Sequence, residues 1–293
     1  MRILLLGKNG QLGWELQRAL APLGDLISLD RSEGGDLAND ELLRATIRQV
    51  APQIIVNAAA YTAVDKAESE REQAFQINAT APALLASEAR TMDALLLHYS
   101  SDYVFDGSGD HARGEDAVTG PLSAYGSSKL AGEEAIRTSG CQHLILRTSW
   151  VYAARGGNFA KTMLRLAAEK DQLRVISDQI GAPTGADLLA DLSAHMLKAT
   201  QANSDLSGTY HAVAAGETNW HAYARHVIEF AGARGRTLRV APDQIEAIAS
   251  RDYPTPAQRP LNSRLSSRKL QHNFGLYLPH WQVGVDRMLD EIL

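Results

Sequence analysis

Gly7-Lys8-Asn9-Gly10-Gln11-Leu12-Gly13 directly follows the apolar run Ile3-Leu4-Leu5-Leu6 and opens a stretch in which Leu12, Leu16, Ala19 and Leu20 recur at helical spacing. A strand, a glycine-rich turn and a helix in that order decide the fold. Glycines at such a turn let the chain bend tightly and let a pyrophosphate approach the helix N-terminus, where unpaired N–H groups and the helix dipole favour negative charge. Gly13 would let the helix pack close to the sheet. Gly7, Gly10, Gln11, Leu12 and Gly13 are therefore candidate dinucleotide contacts. A plain strand-to-helix turn is the competing reading, which the position behind an N-terminal strand disfavours.

Outward from this turn, short apolar runs alternate with amphipathic stretches through the first 150 residues, the signature of βαβ units on a parallel sheet. Strands are predicted at about 2–6, 25–29, 53–57, 94–99 and 142–147, buried on both faces because their apolar character is continuous. Crossover helices are predicted at about 11–20, 42–50 and 79–90. Beyond Trp150 the alternation weakens, and helices are expected at about 157–169, 186–200, 219–231 and 280–292. The expectation is an α/β fold: a Rossmann-type doubly wound parallel sheet over residues 1–150 and a smaller carboxyl-terminal α/β lobe over 151–293. That boundary is soft, with room for later segments to return to the first domain. Asp252-Tyr253-Pro254-Thr255-Pro256-Ala257-Gln258-Arg259-Pro260 carries three prolines in nine residues and is read as an ordered loop or flap.

Composition narrows the function classes. With 293 residues, 45% hydrophobic and 22% charged, the chain has an ordinary globular balance and material for a large core. A net charge of -5 gives no general attraction for phosphate backbones, so nucleic acid is not an expected partner. Cys141 is the only cysteine, which excludes an internal disulfide and any multi-cysteine metal site and suits a reducing compartment. No apolar run approaches the ~18 residues of a membrane span, and the N-terminal run is too short for a signal peptide. A cytoplasmic location without membrane association is the expectation.

Further along the sheet edge, Asp30 ends the second predicted strand, near where an acidic side chain usually meets the adenosine ribose. Arg31 follows it. The carboxylate favours NADH through the 2′-hydroxyl, whereas the guanidinium suits the 2′-phosphate of NADPH, so use of both is expected. Asp36 and Leu37 lie next, and Asn57-Ala58-Ala59-Ala60-Tyr61-Thr62 leaves the third strand with small side chains, as a cofactor floor requires.

Tyr125-Gly126-Ser127-Ser128-Lys129 sets a tyrosine and a lysine four apart, on one face of a helix. A phenol of pKa about 10 is a poor proton shuttle near neutrality, and a neighbouring ammonium is expected to lower it. Ser101 ends the fourth predicted strand, at the edge where open α/β sheets bind ligands, and its hydroxyl can donate to a substrate carbonyl. Ser101, Tyr125 and Lys129 are the candidate catalytic trio.

In this order the glycine turn, Ser101, Tyr125 and Lys129 resemble the extended short-chain dehydrogenases. Gly7 to Leu16, Asn57 to Glu68, Arg147-Thr148-Ser149-Trp150-Val151-Tyr152 and Pro254-Thr255-Pro256-Ala257 resemble the dTDP-4-dehydrorhamnose reductase family across nearly the whole chain. The resemblance implies NADPH- or NADH-dependent reduction of the C4 keto group of dTDP-4-dehydro-L-rhamnose, the last step towards dTDP-L-rhamnose, a precursor of cell-surface polysaccharide. It implies cofactor contacts at Gly10, Gln11, Leu12, Asp30, Asp36, Leu37, Ala60, Tyr61, Thr62, Tyr99, Tyr125 and Lys129. It further implies that Ser101 polarises the keto oxygen, Tyr125 protonates it, Lys129 tunes Tyr125, and Ser101, Asp102 and Trp150 meet the sugar. Many relatives have threonine where this chain has Ser101, which keeps the hydroxyl. Phe159 and the Arg259 to Arg264 stretch are weaker nucleotide contacts. The family also brings a structural Mg2+ at a subunit contact in some members, with Glu15 and Asp187 the matching carboxylates and a homodimer the matching assembly; read by themselves, two surface carboxylates are ordinarily solvated.

Other functions share these features. A dehydratase would need a second carboxylate where Tyr103 follows Asp102. An epimerase or another nucleotide-sugar reductase would keep the Tyr125/Lys129 pair, and a dinucleotide-binding regulatory subunit like that of methionine adenosyltransferase would keep the fold without turnover. The intact trio and the 254–259 loop favour the reductase.

Overall fold

The computed structural model describes residues 1–293. Its amino-terminal half runs β1 (Arg2–Leu6), α1 (Gln11–Leu20), β2 (Asp25–Leu29), α2 (Asp40–Val50), β3 (Ile54–Asn57), α3 (Arg71–Phe75), α4 (Ala81–Thr91), β4 (Leu95–Ser101), α5 (Ala124–Ser139) and β5 (His143–Thr148). The remainder runs β6 (Val151–Tyr152), α6 (Phe159–Glu169), β7 (Leu173–Ile176), β8 (Ile180–Gly181), β9 (Thr184–Gly185), α7 (Ala186–Ala202), β10 (Gly208–His211), β11 (Thr218–Asn219), α8 (Trp220–Ala233), β12 (Ile245–Ile248), α9 (Arg268–Phe274) and α10 (Trp281–Ile292).

The main sheet is parallel, with strand order β10-β5-β4-β3-β1-β2. The order reverses between β1 and β3, and the crevice at that switch point is where open α/β sheets take ligands. β3 and β4 are buried throughout, as continuous apolar runs predict. β2 is an exception: it is the edge strand, so Leu26 to Leu29 stay only partly buried.

Helices cover both faces. On one, Leu16 and Leu20 of α1, Leu189 and Met196 of α7 and Leu270 of α9 pack on Leu5, Val56, Leu97 and Leu146. On the other, Leu43 and Ile47 of α2, Leu85 of α4 and Ile136 of α5 pack on Leu4, Ile55, Leu96 and Ile145. A separate cluster joins α6, α8 and α10 to β7 in the carboxyl-terminal lobe, around Met163, Val227, Val285 and Leu289. Residues beyond 150 thus supply the sixth strand of the main sheet and two of its covering helices.

The glycine turn is built as its spacing requires. Gly7 has φ +90°, and a Cβ on Gly13 would stand 2.0 Å from the Gly7 carbonyl oxygen, so α1 starts as close to the turn as the backbone allows. Ser123 caps α5 by accepting from the Gly126 N–H at 3.1 Å, which sets where the helix carrying Tyr125 and Lys129 begins. The segment Gln76–Thr80 is a π-helical turn leading into α4, a local irregularity often found at functional sites.

Candidate active site

At the carboxyl ends of β1, β2 and β3 lies a cavity of about 460 Å³ lined by Gly7, Asn9, Gly10, Asp30, Arg31, Ser32, Gly35, Asp36, Leu37, Ala59, Ala60 and Ile77. Seven of the candidate cofactor residues, Gly7, Gly10, Asp30, Arg31, Asp36, Leu37 and Ala60, line it together. A Cβ on Gly10 would meet only the Gly7 oxygen, at 3.5 Å, so the helix start faces open space suited to a pyrophosphate. The cavity fits the adenosine and diphosphate half of a dinucleotide.

Its far wall is tightly bonded. The Asp30 carboxylate accepts from the Ser32 N–H at 2.8 Å, the Ser32 hydroxyl at 2.7 Å and the Asn9 amide at 2.7 Å, which holds it below the usual carboxylate range. Arg31 is largely exposed and pairs with Asp36 at 3.2 Å, while Lys8 pairs with Glu33 beside it. The Asp30 carboxylate and the exposed Arg31 guanidinium thus stand side by side on the cavity lining.

Not every candidate points its side chain into this cavity. Gln11 turns towards the carboxyl-terminal lobe, where its carbonyl accepts from the Asn158 amide at 3.4 Å, and Leu12 packs against the core. The Tyr61 hydroxyl donates to Glu70 at 2.5 Å, and the Tyr99 hydroxyl pairs with Ser193 at 2.6 Å. Thr62 is exposed. Neither tyrosine hydroxyl is therefore free to bond a cofactor, and the Tyr61 N–H and carbonyl and the Tyr99 carbonyl are also engaged within the protein.

The trio gathers at the carboxyl end of β4, outside the lining of this cavity. Ser101 ends β4 with Asp102 behind it, and the Ser101 hydroxyl donates to the Asp102 carboxylate at 3.0 Å. Tyr125 begins α5, its ring edge-on to Tyr103 at 5.4 Å. Lys129, one turn on, is buried and donates to the Tyr99 carbonyl at 2.6 Å. Burial pulls this ammonium down to about 8, against a smaller upward effect of Glu133. Burial also pushes the Tyr125 phenol up to about 12; the Ser101 hydroxyl opposes this and the Asp102 charge adds to it. The expected lowering of Tyr125 is therefore not what the geometry gives, because desolvation outweighs its neighbours and the lysine is held on a carbonyl.

Asp102 is buried with one carboxylate oxygen unpartnered, and burial raises it to about 6 although the Ser263 and Ser101 hydroxyls and nearby main-chain N–H groups oppose the shift. Trp150 has φ +50°, an uncommon backbone for a bulky residue, and its ring stacks on Trp220 at 3.7 Å between centroids. Phe159 packs on the same Trp220 at 4.6 Å. The 252–260 segment is an ordered loop anchored on Asp65, which accepts from Arg259 at 2.9 Å and from the Ala257 N–H at 3.3 Å.

Two anchoring residues escaped the sequence reading. Asn78, in the π-turn, accepts from the Tyr61 N–H at 2.9 Å and donates to the Tyr61 carbonyl and the Ser128 hydroxyl, each at 3.0 Å. It ties the floor loop to the helix between Tyr125 and Lys129. Gly132, whose Cβ would come within 2.1 Å of the Asn78 oxygen, was the one available hint. Glu133 is the second: Arg147 holds it through bonds of 2.9 and 2.7 Å, pinning α5 to β5.

The magnesium expectation finds no support. Glu15 and Asp187 do line a common cavity of about 210 Å³, but Arg18 lies 3.6 Å from one and Arg287 3.7 Å from the other. No group of three or more His, Cys, Asp or Glu is gathered to hold a metal ion. Carboxylates already facing guanidinium groups are a poor donor set for a hard cation. No helix is long and apolar enough to cross a membrane.

Comparison with known proteins agrees with this geometry. The family model described as RmlD substrate binding domain matches residues 1–293. The dTDP-4-dehydrorhamnose reductase of Escherichia coli is 54% identical over 295 residues, covering 100% of this chain and 98% of the relative. Among solved structures, a dTDP-4-dehydrorhamnose reductase from Clostridium acetobutylicum superposes with TM-score 0.91 at 31% identity, covering 100% and 99% of the two chains. That of Bacillus anthracis, in complex with NADP, superposes with TM-score 0.90 at 33% identity, covering 99% of each. With a matching sequence and a matching fold along its whole length, the chain belongs to the RmlD substrate binding domain family, that of the dTDP-4-dehydrorhamnose reductases.

Proposed function

We propose that this protein reduces the C4 keto group of dTDP-4-dehydro-β-L-rhamnose to give dTDP-β-L-rhamnose, with NADPH or NADH as the reductant. The observation that carries the reading is that Ser101 at the carboxyl end of β4 meets Tyr125 and Lys129 of α5, on the same edge of the sheet as the cavity at the ends of β1, β2 and β3. Gly7, Gly10, Asp30, Arg31, Asp36, Leu37 and Ala60 would hold the adenosine and diphosphate half, and Lys129 the nicotinamide ribose. Bound there, the reduced nicotinamide supplies the hydride that adds at C4.

The chain's own groups manage the oxygen. Ser101 orients the carbonyl by donating to it. Tyr125 gives that oxygen its proton; a phenol held neutral up to about 12 is in the form that reduction consumes. The Lys129 ammonium supports the phenolate left behind until solvent returns the proton. Asp102 and Trp150 receive the sugar, and the carboxyl-terminal lobe with the 252–260 loop covers the nucleotide. Binding energy from that large nucleotide handle positions a small reacting group.

The test is loss of reduced-nicotinamide absorbance on mixing the purified protein with NADPH, and separately NADH, and freshly generated dTDP-4-dehydro-L-rhamnose, with the product identified by mass and chromatography. Catalytic formation of dTDP-L-rhamnose is expected. Tight dinucleotide binding without turnover would instead favour a regulatory subunit, and a C4 epimer formed without net cofactor oxidation an epimerase.

A further inference from the structure

Gln179 is buried between two structures that the reaction uses and that share no segment of chain. Its side-chain oxygen accepts from the Trp220 indole N–H at 3.0 Å, and its side-chain nitrogen donates to the Ser250 hydroxyl at 3.0 Å. Trp220 carries the Trp150 ring, stacked at 3.7 Å and 19° from parallel. Ser250 stands at the start of the proline-rich loop and is itself held by Asp178, which accepts from its N–H at 2.9 Å and its hydroxyl at 2.6 Å. The far end of that loop is moored to Asp65 through Arg259. Gln179 thus sits where the aromatic platform and the near end of the loop meet.

The platform needs such support. Trp150 holds a left-handed backbone, and its edge lies against Gly181, where a Cβ would come within 2.9 Å of the indole. The same added atom would stand 3.2 Å from Cβ of Ser263, the serine beside Asp102. Gly181 thus stands between the Trp150 indole and Ser263, with no room for a side chain. The Trp220 ring lies among Trp150, Phe159 and Tyr223, apolar contacts that leave rotation in its own plane open, and its N–H is fixed by Gln179. Buried amides with both ends engaged hold geometry in this way.

We propose that Gln179 is a positioning residue for the sugar: it sets the plane of Trp220, through it that of Trp150, and links both to the base of the 250–260 loop. The proposal rests on the reading that Trp150 meets the sugar. It predicts that Gln179 governs how well the nucleotide sugar is held and not how the cofactor is bound.

Three variants test it: Gln179→Leu, which breaks both bonds; Gln179→Glu, which keeps an acceptor for Trp220; and Ser250→Ala, which cuts only the link to the loop. For Gln179→Leu, KM for the dTDP-4-keto sugar is expected to rise about tenfold while kcat and the NADPH KM stay within about twofold, the effect of losing two oriented buried bonds that act on the sugar only through its platform. The near-ultraviolet circular dichroism of the stacked indoles weakens in the same variant. Gln179→Glu restores that signal but leaves the sugar KM raised to the level of Ser250→Ala, because both lose the bond to the loop, and Ser250→Ala keeps the indole signal intact. An unchanged sugar KM and indole signal in Gln179→Leu, or losses spread evenly over sugar KM, NADPH KM and kcat, would overturn the proposal. Should Gln179→Leu fail to fold, Ser250→Ala decides, and an unaltered sugar KM there overturns it. If the wild-type protein does not turn over the sugar at all, the functional reading has failed, and the indole signal in the three variants still reports whether Gln179 sets the platform.

Discussion

The Lys129 ammonium donates to the main-chain oxygen of Tyr99 at 2.6 Å, so the buried cation of the site is held by the end of β4 and not by the phenol one turn before it. The ammonium is thereby fixed beside the strand that ends in Ser101, and its charge is maintained against burial by little else than Glu133. The protonation of the site follows from this arrangement.

Turnover should be bounded on both sides of neutrality. Asp102, raised to about 6, gains its charge as pH passes through that value, and Lys129, lowered to about 8, loses its charge above it. The expected kcat/KM for reduction climbs through pH 6 and falls past pH 8, and Lys129→Arg moves the alkaline limb upward because a guanidinium stays charged. A profile flat from pH 5 to 10 would contradict the assignment.

The same lysine should cost stability at neutral pH. Its folded value lies below the 10.5 of the free side chain, so between about 8 and 10.5 the unfolded chain binds the proton that the folded chain lacks, and stability from this group rises with pH across that window. Below about 8 the folded protein carries the full penalty. Lys129→Met should therefore melt higher than wild type at pH 7, with the gap closing towards pH 10.5. A gap independent of pH would show that packing, not charge, is responsible.

Tyr125→Phe removes the proton donor and leaves the cavity untouched. Reduction should fall by about 10²–10⁴-fold while NADPH affinity, followed by fluorescence titration, is retained. Full turnover in this variant would remove Tyr125 from its role.

Glu133 tests what anchors α5. It is fully buried against Arg147, and removal of one member of a buried pair typically costs about 3–5 kcal/mol. Glu133→Ala should lower the urea midpoint accordingly. The Asp65–Arg259 pair is only partly buried, and such pairs contribute about 0.2–1 kcal/mol, so Asp65→Asn should scarcely change the midpoint. Its effect should appear in KM for the nucleotide sugar, because the loop has lost its far mooring.

Cofactor choice can be shifted at the rim. Arg31→Ala should raise KM for NADPH and leave that for NADH nearly unchanged, since only the 2′-phosphate needs the guanidinium. Asp30→Ala should act mainly on NADH. Equal changes for both cofactors in either variant would place the discriminating contact elsewhere.

Much of this was legible from residues 1–150 because the signals there are local. Apolar runs, the glycine turn and the spacing of Tyr125 to Lys129 are properties of neighbouring residues, and strands, crossover helices and a shared helix face follow from them. The third strand was expected at 53–57 and stands at Ile54–Asn57; the helix expected at 186–200 stands at Ala186–Ala202. What no local pattern carries is a contact made across the chain. The sixth strand, Gly208–His211, has the sequence Gly-Thr-Tyr-His and gains its place only by pairing with β5. Asn78 and Gln179 are ordinary amides until the fold sets Ser128 and Trp220 beside them. The rise of Tyr125 towards 12 in place of the expected fall is of the same kind, because desolvation is produced by every segment packed around a group. Composition and periodicity determined five strands of the sheet, the glycine turn and the candidate trio; the tertiary structure alone decided the sixth strand and how those groups are charged, braced and covered, since burial and long-range hydrogen bonds exist only once distant segments meet.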